Sequence, residues 1–190
     1  GKLLLSPGAR YDRNKATTAP DSLYLLGNPG VATPVDYEES ELTLKFGAIV
    51  QLTDLLSAFG RYSEGFRAPP FDDVNLGFTN FLGGYKTISA PDLTSETSDS
   101  FEVGLRFLSE SAEISVTAFS SDYEDFIASA GSGHCPTAYR QFGCFDPVDG
   151  FLVFQSENIS RVSIDGVELR FLIDMGVMGL DNFGVRGAVA

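Results

Sequence analysis

Residues 42–63 read LTLKFGAIVQLTDLLSAFGRYS, two alternating runs either side of a short break. Leu42, Leu44, Phe46, Ala48, Val50 and Leu52 share one parity, while Thr43, Lys45, Gly47 and Gln51 make up most of the other. Beyond Thr53-Asp54 the pattern resumes, with Leu56, Ala58, Gly60 and Tyr62 set against Ser57, Phe59, Arg61 and Ser63. A period of two sends successive side chains to opposite faces of a strand. Two such runs around a tight turn predict antiparallel strands with one apolar and one polar face.

The same period recurs along the chain. Phe101, Val103, Leu105 and Phe107 oppose Ser100, Glu102, Gly104 and Arg106, and further strands are predicted at Leu3–Arg13, Ala112–Phe126, Asn158–Ile173 and Phe183–Ala190, seven in all. In the sixth the phase slips. Val162 and Ile164 have one parity and Val167, Leu169, Phe171 and Ile173 the other, which predicts a glycine-assisted bulge at Asp165-Gly166.

The connections alternate in length. Thr53-Asp54, Ser109–Ser111 and Met175–Asp181 are short; Asn14–Ser40, Gly65–Ser98 and Ile127–Glu157 are far longer than hairpin loops. Short turns on one rim and long loops on the other are the pattern of an outer-membrane barrel, and strands near ten residues or longer suit a tilted bilayer crossing. A soluble β-sandwich is the alternative, with the apolar face as its core. Against it stand the absence of a turn every eight to twelve residues and the charges of both signs on the polar faces: Lys45, Arg61, Glu102, Arg106, Glu168, Arg170 and Arg186. The expected fold is all-β, an antiparallel transmembrane β-barrel of which residues 1–190 supply about seven strands. Both termini fall within strand-like patterns.

Composition excludes several classes of function. Against 13 Lys plus Arg stand 26 Asp plus Glu, and a formal net charge of −13 offers no basic stripe for nucleic acid. No window reaches the roughly 18 apolar residues of a membrane-spanning helix, and the N-terminal GKLLLSPGARYDR lacks the apolar core of a signal peptide. There is no glycine-rich phosphate loop, and the single histidine supports no Ser-His-Asp arrangement, so no enzyme activity and no catalytic residue is expected.

The strand at 56–63 runs into Phe66-Arg67-Ala68-Pro69, and Ala90-Pro91-Asp92-Leu93 follows before the next strand. These two stretches resemble the paired FRAP and NPDL boxes of TonB-dependent outer-membrane receptors, especially those for haem and haem proteins. Residues 95–106, 118–127 and 158–169 continue the likeness, which spans most of 54–173. The resemblance implies a 22-stranded barrel occluded by an N-terminal plug and driven by the TonB system, in the outer membrane of a Gram-negative bacterium and in contact with its lipid. The plug, the TonB-contacting segment and the closing C-terminal strands are then absent from these residues. It also implies no intrinsic cofactor and an iron-containing ligand, haem or a haem protein ahead of a ferric siderophore. A non-transporting barrel or adhesin that binds host protein is a further reading.

The boxes give the candidate ligand-binding residues Phe66, Arg67, Ala68, Pro69, Pro91, Asp92 and Leu93. They shape and anchor the large loop, with Arg67 able to pair with a carboxylate or a ligand oxygen. Equally, they fix where that loop leaves and re-enters the wall. Haem receptors of this type place a histidine between the boxes, but Pro70–Ser89 has none, and the second box begins with Ala90 where asparagine is usual. Tyr85 is the one residue there offering an axial oxygen, and it also reads as an ordinary loop aromatic. His134, one loop further on, reads either as an iron ligand or as an incidental loop histidine. Cys135 and Cys144, with eight residues between them in an oxidising envelope, are expected to form a disulfide across the loop tip. His134 with both thiols gives only three metal ligands, and Asp72-Asp73 and Asp122-Glu124-Asp125 lack the spacing of a calcium loop, so no metal site is expected.

Overall fold

In the computed structural model, which describes residues 2–27, 33–179 and 183–190, the alternating runs form long strands. The elements are β1 Leu3–Ala16, α1 Ser22–Gly27, β2 Tyr37–Gln51, β3 Leu56–Arg67, α2 Phe71–Asn75, β4 Phe78–Asn80, β5 Tyr85–Thr87, β6 Glu96–Leu108, β7 Ala112–Ala128, β8 Leu152–Phe154, β9 Glu157–Asp174 and β10 Gly184–Val189. Seven of them make one antiparallel sheet in the order β1-β2-β3-β6-β7-β9-β10, so each long strand pairs with the next one in the chain. The turn between β2 and β3 is closed twice. Leu52 and Thr53 donate backbone N–H to Leu56 O, and Thr53 Oγ1 accepts from the amides of Leu55 and Leu56. The third short turn opens with the helical turn Met175–Met178, and its remaining part at 180–182 lies outside the described residues.

The sheet is one layer thick. Among the described residues the buried hydrophobic ones are Val74, Ala90, Leu93, Ile127 and Val153, all in the loops or at their roots, while Leu44, Phe46, Phe101, Val103, Leu105, Val167 and Leu169 on the strands are exposed. A sandwich would cover that face with a second sheet. Here the apolar row faces outward without a protein partner among the described residues, as a barrel wall does toward lipid. From Leu3 to Tyr11 the outward row runs roughly 27 Å at about 3.4 Å per residue, or about 21 Å across a wall tilted by some 40°, close to the apolar band of such barrels.

Above that band the outward face turns polar. Tyr62 marks the change: its ring packs 4.8 Å from that of Phe101, and its hydroxyl donates to Glu64 and Asp99. An aromatic ring with a wet polar tip is the usual occupant of this boundary.

The bulge expected at Asp165-Gly166 is absent. β7 and β9 keep one unbroken register through Phe119↔Gly166 and Ser120↔Asp165. Two facts account for the change of phase. Val167 to Ile173 face outward within the apolar band, whereas Asp165, Ser163 and Arg161 continue the same face above it, where Ser163 bonds Asp122 and Arg161 bonds Glu124. Gly166 makes room for Phe119, whose ring would lie 2.9 Å from a Cβ at that position. Gly104 does the same for Phe59 on the neighbouring pair of strands.

The opposite face carries the charges. Arg61 lies 3.8 Å from Glu102, Arg106 lies 3.8 Å from Glu113 and 6.0 Å above the Phe59 ring, and Arg170 lies 2.9 Å from Glu168. This is the polar lining expected of a barrel lumen.

Candidate ligand-recognition site

The sequence boxes lie where the wall meets its loops. β3 extends through Phe66 and Arg67, and β6 begins at Glu96, so the pairs Phe66↔Thr97 and Arg67↔Glu96 bring the two ends of the loop together. Arg67 Nη1 lies 3.5 Å from Glu96 Oε2, and the same carboxylate accepts from the buried amide of Ile127 on β7 at 3.1 Å. Pro69 is buried, and its carbonyl accepts from the Tyr37 hydroxyl at 3.0 Å. Ala90 and Leu93 pack with Val74 and Ile127 in a small apolar cluster, against which Tyr37 rests. Asn75 extends the base to the first long loop, its Oδ1 accepting from Val35 N, while its Nδ2 has no partner among the described residues. Pro69, Ala90 and Leu93 therefore form the root of the loop.

Pro91 and Asp92 are exposed. With Leu93 they line a cavity of about 350 Å³ whose other wall is Thr137, Gln155 and Ser156, from the loop between β7 and β9, and Glu157 and Asn158 at the start of β9. His134 stands behind that wall: its Nε2 lies 3.1 Å from Glu157 Oε2, and Glu157 also accepts from the Thr137 amide and hydroxyl. Tyr85 is elsewhere, in β5, with ring centroids 6.3 Å from Phe78 and 6.1 Å from Phe154.

The two long loops that carry these residues form one unit. β4 and β5 come from the first and β8 from the second, in a three-stranded sheet of order β4-β5-β8 with β5 and β8 parallel. At its centre Lys86 Nζ lies 2.5 Å from Asp146 and 2.8 Å from Asp149. Partial burial works against the Lys86 charge, but the hydrogen bonds to both aspartates outweigh it and raise its pKa; the same bonds hold the two carboxyls below their usual range. Gln155 bonds Ser89 O, and Asn158 exchanges hydrogen bonds with Thr94. Cys135 and Cys144 are joined in a disulfide with Cα atoms 5.6 Å apart, closing the helical turns between them.

Sequence reasoning missed this small sheet and its clamp, because Lys86 and Asp146 lie 60 residues apart in the chain. It also gave no weight to Glu96, which joins three strands, or to Asn75. The acidic pairs weighed for calcium have other places: Asp72 and Asp73 open α2, and Asp122 and Glu124 bond across to β9.

A one-layer antiparallel wall, with an apolar outer band, a charged inner face and long loops tied together on one rim, defines an outer-membrane receptor barrel. The chain belongs to the TonB dependent receptor-like, beta-barrel family, whose model matches residues 1–189. This is a family of receptors of the Gram-negative outer membrane, not of enzymes. Among its relatives, Hemoglobin-haptoglobin utilization protein B of Neisseria meningitidis serogroup C is 25% identical over 189 residues, 95% of this chain and 22% of that protein. Hemoglobin and hemoglobin-haptoglobin-binding protein B of Haemophilus influenzae is 29% identical over 141 residues, 74% of this chain and 12% of that protein. The chain thus spans a quarter or less of these relatives. In structure it resembles the Serratia marcescens hemophore receptor HasR, solved with its hemophore HasA and heme, at a TM-score of 0.58 and 17% identity over 92% of this chain and 28% of that one. The siderophore receptor PirA of Pseudomonas aeruginosa gives the same TM-score of 0.58, with 18% identity over 81% of this chain and 29% of that one.

Proposed function

We propose that this chain is part of the barrel of an outer-membrane receptor that takes up an iron-containing ligand by TonB-driven transport, with haem or a haem protein as that ligand. The observation that carries the reading is the joined pair of long loops rooted on the Phe66–Pro69 and Pro91–Leu93 boxes, in a chain whose relatives in Neisseria meningitidis and Haemophilus influenzae are named for haemoglobin-haptoglobin utilization and binding. A rigid unit built from two loops presents a broad surface, which suits a macromolecular ligand better than a small chelate. In this reading Arg67, Tyr85 and His134 differ in role. Arg67 anchors the loop root, whereas Tyr85 and His134 stay as candidate contacts to haem, His134 only after release from Glu157.

Growth and binding test the reading. A Gram-negative host dependent on the complete receptor is expected to grow on haemoglobin as sole iron source and to lose that growth when TonB is deleted. Growth only on ferric siderophores would replace the cargo, and haemoglobin binding without TonB-dependent uptake would make the protein an adhesin. Haemin titration of Tyr85→Ala and His134→Ala receptors reports on the two residues: unchanged Soret spectra and affinity in both would remove them as ligands.

A further inference from the structure

We propose that the lumenal face near the short turns holds an oxyanion-binding site that accepts a carboxylate or a phosphate group. The site is a cavity of about 580 Å³ with Arg106, Arg170 and Arg186 on its walls, Glu113 at one side and Ser115 in its floor. Its shape follows from the register. Ser115 pairs with Arg106 on one side and Arg170 on the other, so the two arginines stand two strands apart, roughly 9.5 Å between Cα atoms, with a small side chain between them. Arg186 adds a third guanidinium from β10, where it pairs with Leu172.

The local charge count is positive. Arg170 is held by Glu168 at 2.9 Å, and Arg106 has only the distant Glu113 at 3.8 Å. Arg186 makes no ion pair or hydrogen bond among the described residues. Three guanidiniums therefore face two carboxylates, a local positive surplus in a chain of net charge −13. The next charged pair along the lumen, Arg61 with Glu102, balances itself. Three guanidiniums and a serine hydroxyl lining one cavity supply the donors that a carboxylate or phosphate takes, which guanidinium forks bind through paired N–H groups. The site is independent of which cargo the receptor carries.

Two sources supply such an anion: a free ligand in the lumen, or an acidic side chain of the polypeptide lodged there. The complete receptor, purified in zwitterionic detergent, is titrated with inorganic phosphate against chloride at constant ionic strength, with Tm as the readout. With a free-ligand site, phosphate raises Tm, Arg186→Gln moves the midpoint to at least threefold higher phosphate, and Glu113→Gln moves it to lower phosphate by removing the competing carboxylate. With an internal carboxylate already in place, phosphate has no effect, while Arg186→Gln lowers Tm and the control Arg161→Gln, on the outer face, does not. A phosphate response and a Tm in Arg186→Gln that both equal the wild type overturn the proposal.

Discussion

Replacing Glu96 by alanine isolates what holds the loop root to the wall. Its carboxylate is buried, accepts from the Ile127 amide at 3.1 Å and meets Arg67 at 3.5 Å. Ile127 is 3% exposed, so its N–H has no water to turn to when the acceptor is removed. An orphaned buried donor costs about 1–3 kcal/mol. The Arg67 contact adds little, because a half-exposed pair contributes only about 0–1 kcal/mol. The expected effect is a local destabilisation of about 1–3 kcal/mol, which converts to roughly 5- to 140-fold faster amide exchange at Ile127. Hydrogen–deuterium exchange on the complete receptor reads this directly, with amides in the middle of β6 as the internal control. Glu96→Gln keeps an acceptor oxygen and is expected to stay within about threefold of wild type. An Ile127 exchange rate in Glu96→Ala equal to wild type would refute the role assigned to this carboxylate.

The clamp at Lys86 carries a pH dependence with two edges. The Asp146 and Asp149 pKa values are lowered from 3.8, so their contribution is complete above pH 3.8 and is lost as pH falls through the lowered values. That of Lys86 is raised from 10.5, so its contribution is complete below pH 10.5 and is lost as pH rises through the raised value. Limited proteolysis between β8 and β9 is expected to accelerate beyond either edge in the wild type, and Lys86→Met is expected to be cleaved at its faster rate throughout; a flat wild-type profile would remove the clamp. In the wall, an added Cβ at Gly104 falls 2.5 Å from the Val116 carbonyl oxygen, whereas at Gly166 its nearest neighbour is the Phe119 ring at 2.9 Å. Gly104→Ala is therefore expected to cost about 1–3 kcal/mol in urea unfolding, and Gly166→Ala less, because a ring tip yields more readily than backbone; equal losses would contradict this.

The wall was legible because its physics is local. Alternation at 42–63 and 101–107 decides which side chain faces which way, and the strands formed with that parity, extended by a few residues at the loop end. What failed at Asp165-Gly166 was the assumption that one face keeps one polarity along its whole length. β9 runs beyond the apolar band, so an unbroken strand shows both patterns, and Gly166 answers to Phe119 on the next strand rather than to a turn of its own backbone. The loop unit was hidden for a different reason. Lys86, Asp146 and Asp149 look like scattered surface charges until β5 and β8 pair, and three-residue strands give no periodic signal. The boxes lie where the loop leaves and re-enters the wall: Ala90, Leu93 and Pro69 face into the loop root, while Pro91 and Asp92 remain open to the neighbouring loop.

The central claim is that these strands form a barrel wall with lipid on one face and an aqueous lumen on the other. Single cysteines at Val103, Leu105, Val167 and Leu169, and at Glu102, Arg106, Glu168 and Arg170, are spin-labelled in the complete receptor reconstituted in bilayers. Oxygen is expected to relax the first four and a water-soluble nickel chelate the second four, alternating residue by residue along β6 and β9. Equal access of the nickel chelate to both sets would contradict it.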